Sequence, residues 1–407
     1  MTSTELIAAP RSATGTGLTL LSPAGEGSRV ELLEAPAFQR PTGGLRSREL
    51  YAAAHVIPRT TADNVPGAPA DIDWDATLDY RRQLWSWGLG VADAMDTAQR
   101  NMGLDAAATR ELIARSSAAA KESGGAIAVG VNTDSRTEEV LTLDEIERAS
   151  LEQLEFAEAQ GALPVIMASR HLARAAQSPD DYRRVYTRVL GAVTSKAVLH
   201  WLGTAFDPSL RGYFGADAWQ QASDLVIDLI EEHADKVSGI KMSLLDADAE
   251  RAVRARLPEG VTMFTGDDFN YVELIEDDAD GIHSDALLGA FSVLAPNASA
   301  AVQALDAGNP AEFRRILEPT QELSRQVFAA PTFYYKTGVA FLSWLNGHQD
   351  AFQMVGGLHA ARSLPHLSRI VELANGSGAL ERPELAAERW HAMLRLNGFD
   401  ATSGVLA

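Results

Sequence analysis

A lysine lies within the apolar run "VSGIKMS", residues 237–243. A run of that composition predicts a buried strand, and lysine is almost never fully buried unless something pairs with it or uses it. Burial disfavours the ammonium and lowers its pKa. The neutral amine attacks a ketone and forms an imine. Once protonated, the imine is an electron sink beside which a C–C or C–O bond breaks or forms. Lys241 is therefore the first candidate nucleophile. The competing reading is a side chain that snorkels out at the strand end or pairs with Asp267 or Asp268.

Polar residues also end the other apolar runs. The first offers Arg59, Thr60 and Asp63, the second Asp93, Asp96 and Gln99, and the third Asn132 and Asp134. The fourth offers Arg170 and His171, and the fifth His200, Trp201 and Thr204. The sixth offers Lys241 and Ser243, the seventh Asp267 and Asp268, and the eighth His283 and Ser284. If these ends converge, Lys241 forms the imine while Asp93, Asp96, Gln99, Asn132, Asp134, Arg170, Asp267, Asp268 and His283 surround the substrate. A second chemistry is a divalent cation held by Asp134, His171, His200, Asp267 and His283, as in a metal-dependent sugar isomerase or aldolase. That set lacks the close spacing of a helix-borne His pair. A third is a non-catalytic sugar-binding barrel that keeps the lysine without using it.

The elements that must position these residues follow a rhythm. Eight runs, from "AAAHVIPRT" through "GVADAMDT", "AIAVGVNTD", "LPVIMASRH", "KAVLHWLGT", "VSGIKMS" and "VTMFTGDDF" to "DGIHSDALLG", each precede a helical stretch. Asp73 or Asp75 caps the first helix, glycines close the second, and Thr142 with Glu145 forms a capping box for the third. Successive runs lie roughly 20 to 40 residues apart, enough for right-handed crossovers. Eight such units predict an α/β fold, a (β/α)8 TIM barrel, whose chemistry belongs at the C-terminal ends of the strands. The alternative is an open doubly wound sheet, but no Gly-rich dinucleotide turn follows the first run. Residues 1–50 predict an N-terminal appendage with a β-hairpin, "GLTLL" and "RVELLEAP" about the turn "SPAGEGS". Residues 51–310 form the barrel, and 311–407 a C-terminal helical extension.

Composition narrows the function. The 407 residues are 46% hydrophobic and 22% charged, ordinary for a globular chain with a sizeable core. Lys and Arg total 35 against 55 Asp and Glu, a formal charge of -20 that argues against nucleic-acid or anionic-membrane partners. There is no cysteine, which excludes disulfides, thiolate metal sites and a cysteine nucleophile. The first residues lack a basic region followed by an apolar one, so no secretory signal is expected. The apolar window "ALLGAFSVLAP" is broken by Pro296 well short of a membrane span of ~20 residues. A cytoplasmic location is expected. "LIEDDADG" reads as a solvated helix end rather than a calcium loop, and "FYYK", residues 333–336, as packing, with a cap over the barrel mouth or a subunit contact as alternatives.

The last third of the barrel resembles a known family. "VSGIKMS", "VTMFTGDDF" and "DGIHSDALLGAFSVLAPN" look like the sixth, seventh and eighth strands of the dihydrodipicolinate synthase and N-acetylneuraminate lyase superfamily. "FYYKTGVAFL" and "AARSLPHLS", with Arg362 and Pro365, resemble its helical C-terminal segment. The likeness runs in outline over residues 50–375 and is specific over 237–297. It implies a Schiff-base lyase, aldolase or dehydratase, acting on a 2-keto acid or sugar-derived keto compound. No cofactor is needed beyond the imine on Lys241, Gly266 lines the site beside Asp267 and Asp268, and the assembly is a homo-oligomer. The family's "GTTGE"-like loop, whose threonines hold the substrate carboxylate, corresponds here to "DAMDTAQRNMG", with Thr97 and two acids. The family's proton-shuttling tyrosine corresponds to His200 in "AVLHWLG". Asp- and Asn-rich strand ends suit a polyhydroxylated ketone or keto acid.

Overall fold

Ten strands and thirteen α-helices occur in a computed structural model that describes residues 11–277 and 280–399. Two strands, β1 (Ala13–Leu21) and β2 (Gly27–Leu33), pair antiparallel as a hairpin. The other eight are β3 (Leu50–Ala53), β4 (Gly90–Asp93), β5 (Ile127–Val131), β6 (Leu163–Ile166), β7 (Ala197–Leu202), β8 (Val237–Ser243), β9 (Thr262–Thr265) and β10 (Asp285–Leu288). They close into a parallel barrel in chain order, with β10 returning to β3. The expected TIM barrel, hairpin and helical extension are all present.

Helices α1 (Trp74–Ser86), α2 (Ala106–Ser123), α3 (Leu143–Ala159), α4 (Arg170–Ala175), α5 (Pro179–Leu190), α6 (Trp219–Glu232), α7 (Ala247–Arg254), α8 (Tyr271–Ile275) and α9 (Ala295–Asp306) fill the crossovers and follow the last strand. The Asp73 side chain caps α1 by accepting from the Ala76 amide at 3.0 Å, and Thr142 with Glu145 makes the capping box of α3. Gly124 closes α2 in the left-handed conformation, φ 65°.

Strand alternation decides what faces the barrel axis. The inner cluster contains Tyr51, Ala53, Ala92, Ala128, Val165, Val198, Phe264 and Leu287. Leu199, Trp201, Ile240 and Met242 belong instead to the layer between the strands and the surrounding helices. Side chains alternate with a period of two, so His200, two residues beyond Val198, and Lys241, between Ile240 and Met242, both face inward. The two are Cα partners across β7 and β8.

The extension comprises α10 (Pro310–Val327), α11 (Tyr335–Leu345), α12 (Leu364–Ser377) and α13 (Pro383–Leu396). The hairpin packs on it. Trp390 Nε1 donates to the Thr19 carbonyl at 2.6 Å, and the Leu21 amide donates to Ser368 Oγ at 2.7 Å. The Asn375 side chain clamps β2, accepting from the Leu33 amide and donating to the Glu31 carbonyl, both at 2.9 Å. The hairpin and the helical extension therefore form one layer.

Three expectations need correction in detail. The first barrel strand is Leu50–Ala53, so Arg59, Thr60 and Asp63 lie in a long loop, where Arg59 pairs with Asp71 at the surface. The last strand begins at Asp285, because pairing with β3 starts at Ala286, so His283 and Ser284 precede it rather than end it. The α10 helix begins at Pro310, one residue before the expected boundary. Residues 1–10, on which the expectation about a signal rests, lie outside the described residues, as do Asp278 and Ala279 of "LIEDDADG". Among the described residues no helix is long and apolar enough to cross a membrane.

Candidate active site

Lys241 is 8% exposed, and among the described residues no hydrogen bond or ion pair reaches it. Burial lowers its pKa, against the opposing charges of Asp268 and Asp96. Asp268 is buried too, and burial raises its carboxyl, opposed by the Ala290 amide, which donates to Oδ1 at 2.9 Å, and by the charge of Lys241. Both groups are pushed toward their neutral forms by the same lack of water. Each charge acts on the other, and a carboxyl near a buried amine suits imine formation.

Gly266 makes this packing possible. A Cβ there would lie 2.2 Å from Ser243 Oγ, 2.7 Å from the Met242 carbonyl and 2.9 Å from Lys241 Cε. Gly266→Ala is expected to push the lysine stem aside and slow covalent trapping at Lys241 by on the order of 10²-fold, the scale of an ångström misplacement. Borohydride trapping rates on folded variant and wild type measure this.

His200 sits beside Lys241 as expected, 1% exposed, with Nε2 3.1 Å from Ser243 Oγ and Nδ1 without a partner. Burial, and then the charge of Lys241, push its pKa well below 6.5. The imidazole is therefore neutral at physiological pH and does not carry protons as a group titrating near neutrality does. A hydroxyl comes from elsewhere. Tyr335, at the start of α11, places its OH 2.7 Å from Thr97 Oγ1 and stacks on Phe328 with ring centroids 4.3 Å apart. Burial, with the charge of Asp96, holds the phenol well above 10.

Lys336 follows it. Of the chain's five lysines, Lys241 and Lys336 alone are buried. Lys336 Nζ donates to the Phe333 carbonyl at 3.1 Å and lies 4.5 Å from the centre of the Tyr335 ring. Burial lowers it to about 8, against Asp96 and Asp207 and aided by Arg170. Arg362 anchors the preceding chain by donating to the carbonyls of Ala329 at 2.5 Å and Pro331 at 3.1 Å. In the sequence Tyr335 and Lys336 stand only within "FYYK", for which packing is the expectation and a cap over the barrel mouth one alternative. The scarcity of lysine was the one available signal.

The displaced pKa of Lys336 has a consequence for stability. The unfolded chain holds its proton up to about 10.5 and the folded chain only up to about 8, so stability rises with pH across that window. Lys336→Met removes the penalty. It is expected to raise unfolding free energy by on the order of 1–3 kcal/mol below pH 8, with the gain fading toward pH 10.5. Urea unfolding at several pH values tests the sign.

Asp96 connects these groups. Its charge acts on Lys241, Tyr335 and Lys336, and its carboxylate makes no hydrogen bond among the described residues. It lines a cleft with Asn132, Asp134, Arg170, His171 and Asp207. Asn132 accepts from the Thr133 amide at 2.6 Å, and His171 Nδ1 lies 2.8 Å from Thr133 Oγ1. Arg170 is ion-paired with Asp207, which also accepts from the Ser209 amide and hydroxyl. Asp134 pairs with the buried Arg100 at 2.6 Å; burial alone would raise its carboxyl, but Arg100 and Gln153 hold it down.

Four expected substrate contacts are engaged elsewhere. Asp93 is sealed in an ion pair with Arg81, both side chains 0% exposed. Gln99, in a left-handed turn at φ 66°, donates to the Met102 and Val355 carbonyls. Asp267 caps its own turn, accepting from the Phe269 and Asn270 amides. His283 lies 3.0 Å from Asp277 at the opposite end of the barrel. Trp201 faces the helices and Thr204 is exposed. The five residues weighed as metal ligands are thereby dispersed, and among the described residues no group of three or more His, Asp or Glu converges as a cation site.

A family model matches residues 18–399. The chain belongs to the family described as "Protein of unknown function (DUF993)". No curated protein matches this DUF993 chain by sequence. Its fold is shared with solved dihydrodipicolinate synthases. The 4-hydroxy-tetrahydrodipicolinate synthase of Methylacidiphilum fumariolicum SolV is 15% identical with a TM-score of 0.60, covering 86% of this chain and 98% of that one. The Bacteroides thetaiotaomicron dihydrodipicolinate synthase is 14% identical with a TM-score of 0.61, covering 82% and 100%. The Thermotoga maritima enzyme is 13% identical with a TM-score of 0.60, covering 82% and 99%. The resemblance expected from the sequence extends to the fold, the barrel that this DUF993 chain shares with the solved dihydrodipicolinate synthases.

Proposed function

We propose that this DUF993 protein is a class I lyase that forms an imine between Lys241 and a small keto compound, a 2-keto acid or a sugar-derived ketone. The observation that carries the reading is a buried lysine on the inner face of a closed barrel, with no ion pair, beside a buried carboxyl. The neutral Nζ of Lys241 attacks the carbonyl carbon. The carbonyl oxygen takes one proton from Asp268 and a second from the attacking nitrogen, relayed through the Asp268 carboxylate, and leaves as water, while Nζ keeps its remaining hydrogen on the cationic C=N bond. Electrons from a C–C bond at the adjacent carbon, or from a C–H bond there whose proton a base removes, then flow into that bond and give the enamine; in the first case the other fragment leaves as a carbonyl compound, and in the second the enamine expels the next carbon's hydroxyl as water. Protonation of the enamine carbon and hydrolysis release the product and restore the lysine.

Borohydride added with a panel of small ketones and 2-keto acids tests the reading. The peptide containing Lys241 is expected to gain the mass of one reduced ligand. Absence of a ligand-dependent adduct at Lys241 across the panel would overturn it.

A further inference from the structure

We infer that the substrate carries a hydroxyl rather than a carboxylate on the carbon next to its carbonyl, an α-hydroxy ketone, and that the Asp96 carboxylate receives that hydroxyl. The inference rests on the imine reading and specifies its substrate. Once the carbonyl carbon is bonded to Nζ, the first oxygen of its neighbouring substituent lies within about 3–4 Å of that nitrogen. The two charged groups acting on Lys241 are Asp268 and Asp96, both carboxylates, and no arginine or other lysine is among them. Asp268 is raised by burial and carries the proton that imine formation uses, so a substrate carboxylate would lie against the Asp96 carboxylate as a second like charge. A hydroxyl is a donor, and an ionised carboxylate is an acceptor only. Among the described residues the Asp96 carboxylate makes no hydrogen bond, and Asp96 lines the cleft.

The groups that would otherwise hold a substrate carboxylate are engaged. Thr97 Oγ1 is 2.7 Å from the Tyr335 hydroxyl. Arg170 is paired with Asp207. Lys336 is directed to the Phe333 carbonyl, with Asp96 and Asp207 as its opposing charges. Asn132 uses its side-chain oxygen on the Thr133 amide, and its Nδ2 makes no hydrogen bond, which suits a second oxygen of a polyol. Dihydroxyacetone and pyruvate, with three carbons each, are the smallest ketones that carry this distinction.

The test uses the full chain with dihydroxyacetone or pyruvate, each with cyanoborohydride, and peptide mapping over the five lysines. Hydride from the reagent reduces the C=N bond and leaves a secondary amine. Lys241 is expected to label about tenfold or more faster with dihydroxyacetone than with pyruvate, and Asp96→Asn to bring the ratio toward unity. Equal or faster labelling by pyruvate would overturn the substrate class while leaving the imine intact. Labelling of exposed lysines alone, with neither probe at Lys241, would overturn the imine reading and this inference with it. An unchanged ratio in folded Asp96→Asn would remove Asp96 from the role.

Discussion

Lys241→Arg is expected to abolish adduct formation and to lower turnover of any compound that traps on the wild type by on the order of 10⁴-fold or more. Arginine keeps the positive charge and most of the stem but is never deprotonated in proteins, so the substitution separates nucleophile from charge. A lysine that merely offset Asp268 and Asp96 would be replaced with little effect. Lys241→Met, which keeps the volume without the nitrogen, controls for packing. The wild type adds a pH signature. Below its lowered pKa, Lys241 is an ammonium and cannot attack, so trapping falls toward acid. Above its raised pKa, Asp268 has no proton to give, so trapping falls toward alkali as well. The rate of trapping against pH is therefore expected to be bell-shaped, with limbs that belong to the pair rather than to either residue. Lys241→Arg should flatten the profile to background.

Much of this was visible in the chain itself because strand alternation is local. "VSGIKMS" is β8 residue for residue, and its parity alone sets Lys241 inward with His200 across from it. The same parity rule separates Asp93 from the site. Ala92 faces the barrel axis, so Asp93, one residue on, faces the helices, where Arg81 meets it. Treating every polar residue at a run's end as equivalent discards that information. His283 fails for a different reason. A polar residue flanking an apolar run looks alike at either end, and only the pairing of β10 with β3 shows that the strand starts after it. For Tyr335 and Lys336 the local sequence offers a cap over the barrel mouth only as one alternative to packing. They lie nearly a hundred residues beyond Lys241, on a helix whose own pattern marks it simply as buried. Their place at the mouth comes from the extension folding back, with Phe328 and Phe206 against the Tyr335 ring.

Asp93→Ala is expected to destabilise the protein by about 3–5 kcal/mol, the usual scale for stranding one member of a buried ion pair. Both Asp93 oxygens receive Arg81, from Nε and Nη2 at 2.8 Å each. Arg81 Nη1 also reaches the carbonyls of His55 at 2.8 Å and Thr77 at 2.9 Å, which ties α1 to the loop after β3. Alanine at 93 leaves a guanidinium without counter-charge in a place with no water. Urea unfolding of Asp93→Ala, Arg81→Met and the double variant is expected to be non-additive, the double losing well under the sum of the singles, because the two substitutions remove one shared interaction. The effect also reaches the site. Asp93 Oδ1 accepts from the Ala94 amide at 2.8 Å, and Ala94 holds a left-handed φ of 48° that turns the chain into Met95, Asp96 and Thr97. A non-glycine residue keeps that conformation only where its surroundings enforce it. With the carboxylate gone, Ala94 is free to relax and Asp96 moves with it. Asp93→Ala is therefore expected to lose the preference for dihydroxyacetone even under conditions where circular dichroism shows it folded, an outcome that a purely global loss of stability would not produce.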